Sequence, residues 1–183
     1  MKTNLFIVLC LLFNAVLQAQ PSSNPNNMNK YTSQWKQVEK LERDDLPKSA
    51  IEEVDKILQQ SIKEKNTQQA IKAMFYKYKY KAYIDSGDNA NIFIDLENLL
   101  NNTTSIEDKS ILHSILGELY LQHYQNESWN IDRRTNLQNY IPTDMQEWTK
   151  NIFFDKIIEH FNLSVSDKNV LIKTNTKIYD DII

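Results

Sequence analysis

Helix-breaking residues are almost absent from this chain. It contains two glycines and four prolines in 183 residues, whereas sandwiches and barrels need frequent turns that contain Gly or Pro. Phosphate-cradling loops also need several closely spaced glycines, which this sequence does not have. Long α-helices joined by short connections are therefore the structure that the sequence favours.

The first nineteen residues have the features of a cleaved signal peptide. Lys2 supplies the positive charge, residues 5–13 (LFIVLCLLF) are uncharged and apolar, and the small Ala19 precedes Gln20. The apolar run is too short to span a bilayer. We therefore expect a secreted protein, periplasmic or at the cell surface, with its mature start at Gln20. The alternative is a lipoprotein acylated at Cys10, although bulky Leu9 stands where a small residue is required.

Charge and cysteine content narrow the classes of function. The formal net charge is −3, which disfavours nucleic acid and anionic membranes as partners. The single cysteine, Cys10, lies in the leader, so the mature chain is expected to have no disulfide, thiolate ligand or cysteine nucleophile. Beyond the leader, the sequence predicts no transmembrane segment.

The chain divides into four predicted segments. Residues 1–19 are the signal peptide, and residues 20–29, rich in Asn and Pro, are a flexible spacer. Residues 30–165 form the helical domain. Residues 166–183 are interpreted as the start of a connection to a downstream region, because an amphipathic pattern begins there and the last two residues are apolar.

Six amphipathic helices of roughly 14 to 20 residues follow from apolar residues spaced three and four apart. The first is predicted to end near Leu46, because Pro47 disfavours the α conformation of the residue before it, and Pro47 then begins the second helix with almost no connection. The inward-facing residues of the successive helices are Tyr31, Trp35, Val38 and Leu41 or Glu42; Ala50, Val54, Ile57, Leu58 and Ile62; Ile71, Met74, Phe75, Tyr78 and Ala82, with Tyr76, Tyr80 and Tyr83 on a second face; Ile92, Leu96, Leu99 and Leu100; Ile111, Leu112, Ile115, Leu116, Leu119 and Tyr120; and Trp148, Ile152, Phe153, Ile157 and Phe161.

Short local signals predict where several helices begin and end. Thr67 is positioned to cap the third helix, and Gly87 to end it. Residues 105–108 (SIED) and 143–146 (TDMQ) have the spacing of capping boxes that open the fifth and sixth helices. Residues 133–141 are the one irregular connection.

Paired helices of this kind, some of them apolar on two faces, predict an all-α fold. We expect antiparallel helix pairs stacked as a small tetratricopeptide-like α-solenoid of about six helices. Residues 116–120 (LGELY) match the Leu-Gly-x-x-Tyr core of a tetratricopeptide first helix, in which Gly117 would let a neighbouring helix approach closely. The other consensus positions do not recur at the period of about 34 residues, so a regular repeat array is not predicted.

No residue pattern predicts a catalytic, cofactor-binding or metal-binding site. The histidines, His113, His123 and His160, do not have metal-ligand spacing, and no nucleophile elbow is present. His123 and Glu127, one helical turn apart, could supply half of a metal site, but a surface hydrogen bond is the simpler interpretation. The sequence therefore predicts no cofactor and no enzymatic activity.

Two further patterns could bind a partner but have simpler explanations. Tyr and Lys alternate over residues 76–81 (YKYKYK), as in proteins that bind single-stranded nucleic acid. A helix that is packed on two sides explains this pattern without a ligand. Trp129, Arg133 and Arg134 could form a recognition surface, although core packing of Trp129 and solvation of the arginines is the default interpretation.

Several helix-packing motifs resemble the amino-terminal helical region of large bacterial alpha-2-macroglobulin-like proteins. The resemblance extends from about Tyr31 to the end of the chain. The residues that carry it are Trp35-x-x-Val38-x-x-Leu41, residues 46–50 (LPKSA) with Val54, residues 69–73 (QAIKA), Asp144-x-x-x-Trp148, Phe154-x-x-Ile157 and residues 164–183. Because these are packing and turn residues, they indicate a lineage rather than an activity.

The resemblance implies a non-catalytic helical interaction module at the front of an exported protease inhibitor. In that family the trapping parts lie downstream: β-sandwich domains, a bait segment and sometimes a Cys-x-Glu-Gln thioester. The implied partners are the downstream macroglobulin-type domains of the same protein, with proteases or cell-envelope proteins as further candidates. The alternative is an exported helical-repeat protein that binds a glycan or a partner protein. An enzyme on an all-α scaffold would need convergent polar groups that the sequence does not reveal.

Overall fold

The computed structural model describes residues 25–84, 91–135, 140–180 and 182. The predicted leader, Cys10 and Gly87 lie outside the described residues. Regular structure within the described residues is helical throughout, which confirms the predicted all-α fold. The helices are α1 (Pro25–Arg43), α2 (Pro47–Lys63), α3 (Thr67–Ile84), α4 (Asn91–Asn102), α5 (Ile106–Ile131), α6 (Lys150–Ser164) and α7 (Lys168–Leu171), with 3₁₀ turns at Met145–Glu147 and Thr176–Tyr179. None of these described helices has the length and apolar character needed to cross a bilayer.

The chain forms two compact units. Of the described residues, the first unit comprises 25–84, 91–92, 175–180 and 182, and the second comprises 93–135 and 140–174. The boundary between them falls within α4, inside the segment that the sequence predicts as one helical domain. α1 begins at Pro25, within the segment predicted as a spacer. At the other end of the chain, Tyr179 is buried, so the last part of segment 166–183 contributes to the first unit.

The same three-residue turn follows α1 and α2. Its middle residue, Asp45 in one turn and Lys65 in the other, has a left-handed backbone with φ of 54°. The hydrogen bonds are those of a Schellman motif. Leu46 N donates to Leu41 O (2.9 Å) and Asp45 N to Glu42 O (3.1 Å); Asn66 N donates to Ser61 O (2.8 Å) and Lys65 N to Ile62 O (3.1 Å). Each turn therefore ends one helix, and its last residue directly precedes the next helix.

The turns correct two predictions. α1 ends at Arg43 rather than near Leu46, because the Schellman turn occupies the last three residues before Pro47. Pro47 begins α2 as predicted. Thr67 does not cap α3: the side chain of Asn66 does so, since its Oδ1 accepts a hydrogen bond from Gln69 N at 3.2 Å.

Two successive chain reversals place α1 and α3 side by side and parallel. The indole Nε1 of Trp35 donates to Gln69 Oε1 at 2.7 Å. At the other end of the two helices, the Tyr80 hydroxyl donates to Glu42 at 2.8 Å, and the Tyr83 hydroxyl donates to Asp45 at 3.1 Å. The paired residues are separated by 34 to 38 positions throughout, and a nearly constant separation means that the two helices run in the same direction. First and third helices aligned in this way are characteristic of helical repeats.

Most of the predicted inward-facing residues of the first unit are buried, but Ile62 and Tyr83 are exposed, and so is Glu42, the alternative given to Leu41. The buried residues include Tyr31, Trp35, Val38, Ala50, Val54, Ile57, Leu58, Ile71, Met74 and Tyr78. Ile62, however, is 52% exposed, and Ser61 is buried in its place. Ser61 continues the row of Val54 and Leu58 with helical spacing, and its hydroxyl is satisfied by donation to Leu58 O at 2.8 Å. Tyr80 is also buried, which confirms that α3 is packed on a second face.

The helix starts of the second unit agree with the sequence in one case and differ in the other. Ser105 caps α5, accepting a hydrogen bond from Asp108 N at 3.1 Å, as predicted. The predicted capping box at residues 143–146 is wrong, because α6 begins only at Lys150. Tertiary bonds fix the preceding segment instead: Trp148 Nε1 donates to Pro142 O at 2.7 Å, and Arg134 Nη1 donates to Trp148 O at 2.6 Å.

Gly117 lies where α5 packs against α6. A Cβ atom at this position would lie 3.1 Å from both Cδ1 and Cε1 of Phe161, which is closer than ordinary van der Waals contact. The predicted role of Gly117 as a packing residue is therefore confirmed.

Replacing Gly117 tests how tightly the two helices meet. Gly117→Leu should lower the free energy of unfolding by about 3 kcal/mol, because its side chain would overlap the Phe161 ring. Gly117→Ala should stay within about 1 kcal/mol of the parent, since the better helix propensity of Ala offsets a small shift of the ring. Urea unfolding followed by circular dichroism measures both. Ser114→Leu, at an exposed position of the same helix, is the matched control. Equal stability of the two leucine variants would contradict the close approach.

Candidate functional site

α5 and α6 bring together two histidines that are 47 positions apart in the sequence. Nδ1 of His113 lies 3.0 Å from Nδ1 of His160. Nε2 of His160 lies 3.3 Å from Oε1 of Glu97 on α4. The Tyr120 hydroxyl donates to the same carboxylate oxygen at 3.3 Å. These four residues, His113, His160, Glu97 and Tyr120, are called the histidine cluster below.

The histidine cluster is largely shielded from solvent. His160 is 3% exposed, and Tyr120 is buried beside it, with their ring centroids 5.6 Å apart. The Tyr120 ring also packs on Phe93 at 4.7 Å and on Trp148 at 5.7 Å. Aromatic rings therefore form one wall of the cluster.

The partners determine where the imidazole protons lie. Nε2 of His160 faces a carboxylate, which accepts hydrogen bonds, so this nitrogen carries a proton. When His160 is neutral, its Nδ1 has a lone pair to which Nδ1–H of His113 can donate. One proton fits between the two Nδ1 atoms and a second would repel it. At most one of the two rings can therefore be doubly protonated while this contact persists.

Burial and charge shift the pKa values in the cluster. Burial lowers the pKa of His113 below its ordinary value of 6.5, and a positive charge on His160 lowers it further. The hydrogen bond from His160 lowers the pKa of Glu97, although burial of the carboxylate opposes this effect. The other charged groups near His113 are Glu97 and Glu159, which favour its protonated form, and Lys109, which disfavours it.

A carboxylate and two imidazoles in a row can move a proton along the row, as general acid–base sites do. Catalysis also requires a reacting group beyond His113 and room for a substrate, whereas Tyr120 and its neighbouring rings fill one wall of the cluster. The arrangement is better explained as a buried polar network that fixes the relative positions of α4, α5 and α6. Among the described residues, no group of three or more His, Cys, Asp or Glu side chains is arranged to hold a metal ion.

His123 and Glu127 do not pair as the half of a metal site that their spacing allowed. The imidazole of His123 packs on the ring of Phe153 at 5.5 Å and against the edge of Phe93 at 5.8 Å. Glu127 accepts a hydrogen bond from Asn130 Nδ2 at 2.8 Å. His123 is therefore part of the aromatic packing between helices.

Trp129 is not in the core, which contradicts the default interpretation from the sequence. Its side chain is 68% exposed, and the guanidinium of Arg133 lies over the indole ring, 3.5 Å from the ring centroid. Arg134 instead donates to the backbone at Trp148 and so holds the segment before α6. Of the three residues considered as a recognition surface, Trp129 and Arg133 are thus paired at the surface.

Besides the buried side chains of Phe153 and Ile157, helix α6 has apolar side chains that face solvent. Phe154 is 39% exposed and Ile158 55%, and their spacing of four residues places them on one face. Phe154 also packs edge-on against Tyr124, with ring centroids 5.0 Å apart. These two residues, Phe154 and Ile158, are called the α6 apolar face.

The alternating Tyr and Lys residues of α3 serve packing and interhelical pairing. Tyr78 and Tyr80 are buried. Lys77 pairs with Asp55 of α2 at 2.8 Å, and Lys79 pairs with Glu42 of α1. This agrees with the predicted explanation by a helix packed on two sides.

The sequence did not reveal the histidine cluster because its members come from three helices. One local signal was present: His160 follows Ile157 by three positions and therefore continues the buried stripe of Phe153 and Ile157. A polar residue at such a position needs a buried partner, but the sequence does not identify which one.

Reducing the pH should destabilise the fold through His113. Because burial lowers the pKa of this side chain, the unfolded chain binds more protons than the folded chain below about pH 6.5, and the free energy of unfolding falls as the pH falls. In His113→Asn, the amide can still donate to His160 but does not titrate. We expect the loss of stability between about pH 7.5 and 5 to be smaller in this variant than in the parent.

Urea midpoints at the two pH values measure the difference. Ser114→Asn, at an exposed and non-titrating position of the same helix, is the matched control and should keep the parent's pH dependence. An unchanged pH dependence in His113→Asn would contradict the role assigned to the histidine pair.

No family model matches this chain, and no curated protein or solved structure matches it either.

Proposed function

We propose that this chain is a non-catalytic helical interaction module, and that it stands at the front of an exported alpha-2-macroglobulin-like protease inhibitor. The observation that carries the interaction role is the α6 apolar face. Large apolar side chains aligned along one exposed helix face are typical of a surface that another protein covers.

The histidine cluster supports the non-catalytic part of the proposal. Its imidazole and carboxylate groups bond to one another across three helices, and its inner wall is formed by Tyr120 and the rings that pack on it. A satisfied network of this kind stabilises packing. A catalytic dyad would instead point its reactive group toward a substrate.

The inhibitor context is supported by the sequence resemblance alone. Trp35, Val38, Ala50 and Val54, which carry part of it, are buried in the first unit. These positions support a shared helical scaffold, and export is supported by the features of the leader sequence. The occupant proposed for the α6 apolar face is accordingly a macroglobulin-type domain of the same protein.

The isolated chain should neither inhibit nor cleave. Incubation with several endopeptidases of different specificity, assayed on large and small substrates, should leave every rate unchanged, because trapping requires a cleavable bait and a body that rearranges around the protease. Protection of a large substrate by this chain alone, or turnover of any substrate, would show that the activity has been assigned to the wrong part of the protein.

Replacing the side chains of the α6 apolar face should weaken binding without disturbing the fold. Phe154→Ser with Ile158→Ser should weaken binding to the macroglobulin-type body at least about tenfold, as expected for residues at the centre of an interface. Titration calorimetry measures the affinity, and the melting temperature verifies the fold. Leu46→Ser with Ile62→Ser removes exposed apolar side chains from the first unit and is the matched control. If both double variants bind like the parent, the surface is wrongly assigned.

Trp129 favours the alternative of a glycan-binding module. One face of its exposed indole is covered by Arg133, and the rest of the ring is accessible to a sugar, which aromatic platforms bind by stacking. Binding of a soluble polysaccharide that is lost in Trp129→Ala, and retained when the α6 apolar face is removed, would support this alternative.

A further inference from the structure

The net charge of the whole chain conceals two parts of opposite sign. Residues 25–84 contain twelve Lys or Arg and eight Asp or Glu, which gives +4. Residues 85–183 contain eight Lys or Arg and sixteen Asp or Glu, which gives −8. The total charge therefore does not exclude an anionic partner for the helices of the first unit.

The positive charge is concentrated on α1 and α3. α3 contains four lysines and no acidic residue, and α1 contains four basic residues and two glutamates. Lys36, Lys40 and Arg43 of α1 are exposed and, at a spacing of four and three residues, form one row. Lys36 follows Trp35 by one residue, about 100° further around the helix. Because Trp35 contacts α3, this row lies beside the seam between the two helices.

A second row on α3 lies along the same seam. Lys72, Tyr76, Lys79 and Tyr83 are spaced by three and four residues, so they share a face. The ammonium group of Lys72 lies 4.8 Å from the centroid of the Trp35 ring, and that of Lys79 lies 5.2 Å from the centroid of the Tyr76 ring. Contacts of this kind hold the ammonium groups in place, which reduces the entropy that they would lose on binding a ligand. The cationic surface is defined as Lys36, Lys40, Arg43, Lys72 and Lys79.

The groups along the seam already bind carboxylates. Lys79 and the Tyr80 hydroxyl both bond to Glu42, and the Tyr83 hydroxyl donates to Asp45. Lys36, Lys40 and Arg43 follow one another at about 5 to 6 Å along α1, which is close to the roughly 6.6 Å between alternate side chains of an extended chain. An extended segment with acidic side chains at alternate positions would therefore present one carboxylate to each cation of the α1 row in turn.

We propose that the cationic surface binds an acidic, extended segment of a partner protein. Glu39 and Glu42 lie among its cations, so the positive charges are separated by negative ones. Such a surface suits a partner whose carboxylates are spaced apart better than the dense, continuous charge of a nucleic acid or of an anionic membrane. The site goes beyond the proposed function, because it uses other helices than the α6 apolar face and recognises a partner of different chemistry. The two surfaces are tested separately, so a negative result for binding at one does not contradict the proposed binding at the other.

A synthetic peptide of ten residues in which Glu and Ser alternate is the probe, and the same peptide with Gln in place of Glu is its neutral counterpart. Fluorescence anisotropy at about 50 mM salt should show binding of the acidic peptide alone, since salt screens such contacts. Lys36→Gln with Lys40→Gln and Arg43→Gln should weaken binding roughly tenfold or more. The three side chains are exposed, so circular dichroism should show an unchanged fold.

A matched triple variant distinguishes the surface from net charge. Lys48→Gln with Lys56→Gln and Lys63→Gln removes three exposed cations from α2 and should leave the affinity within about threefold of the parent. The proposal is overturned if the acidic peptide does not bind, or if both triple variants lose affinity equally. It is also overturned if a ten-nucleotide single strand or vesicles with anionic lipid bind more tightly than the peptide.

Discussion

The first unit depends on the Schellman turn that occurs twice, after α1 and after α2. A left-handed backbone at a residue other than Gly costs roughly 1–2 kcal/mol, yet Asp45 and Lys65 both adopt it. The turn's hydrogen bonds and the packing of the helices that it joins offset this cost. Three-residue turns leave no slack, so two reversals return α3 to the side of α1 with a fixed register. The alignment of the basic rows of α1 and α3, which form the cationic surface, follows from that register.

In the second unit, the packing glycine and the histidine pair are consequences of the same close approach. Gly117 lies one turn after His113 on α5, and its partner Phe161 directly follows His160 on α6. Without a side chain at position 117, the two helices come close enough for the imidazoles to meet at 3.0 Å. A larger residue would separate the helices and leave Nδ1 of the buried His160 without its partner, which adds a polar cost to the steric one.

Local patterns in the sequence predicted what depends on one helix at a time. The buried positions Val38, Val54 and Leu116 follow from helical spacing, and the Ser105 cap follows from four consecutive residues. Among the features that require two or more helices to meet, the sequence predicted the packing role of Gly117 but not the residue opposite it, Phe161. The late start of α6 depends on bonds made by Trp148 and Arg134, and the histidine cluster depends on the relative register of α4, α5 and α6.

The same distinction explains why composition misleads about partners. Net charge is a sum over the whole chain, whereas a ligand meets only the charges that the fold places on one surface. Here the turns after α1 and α2 align two basic helices, while most of the acidic residues lie after residue 84. In the second unit the titratable histidines are turned inward and bond to each other, and the apolar row of α6 is turned outward. Apolar and charged groups presented on the surface are what the proposed binding role requires.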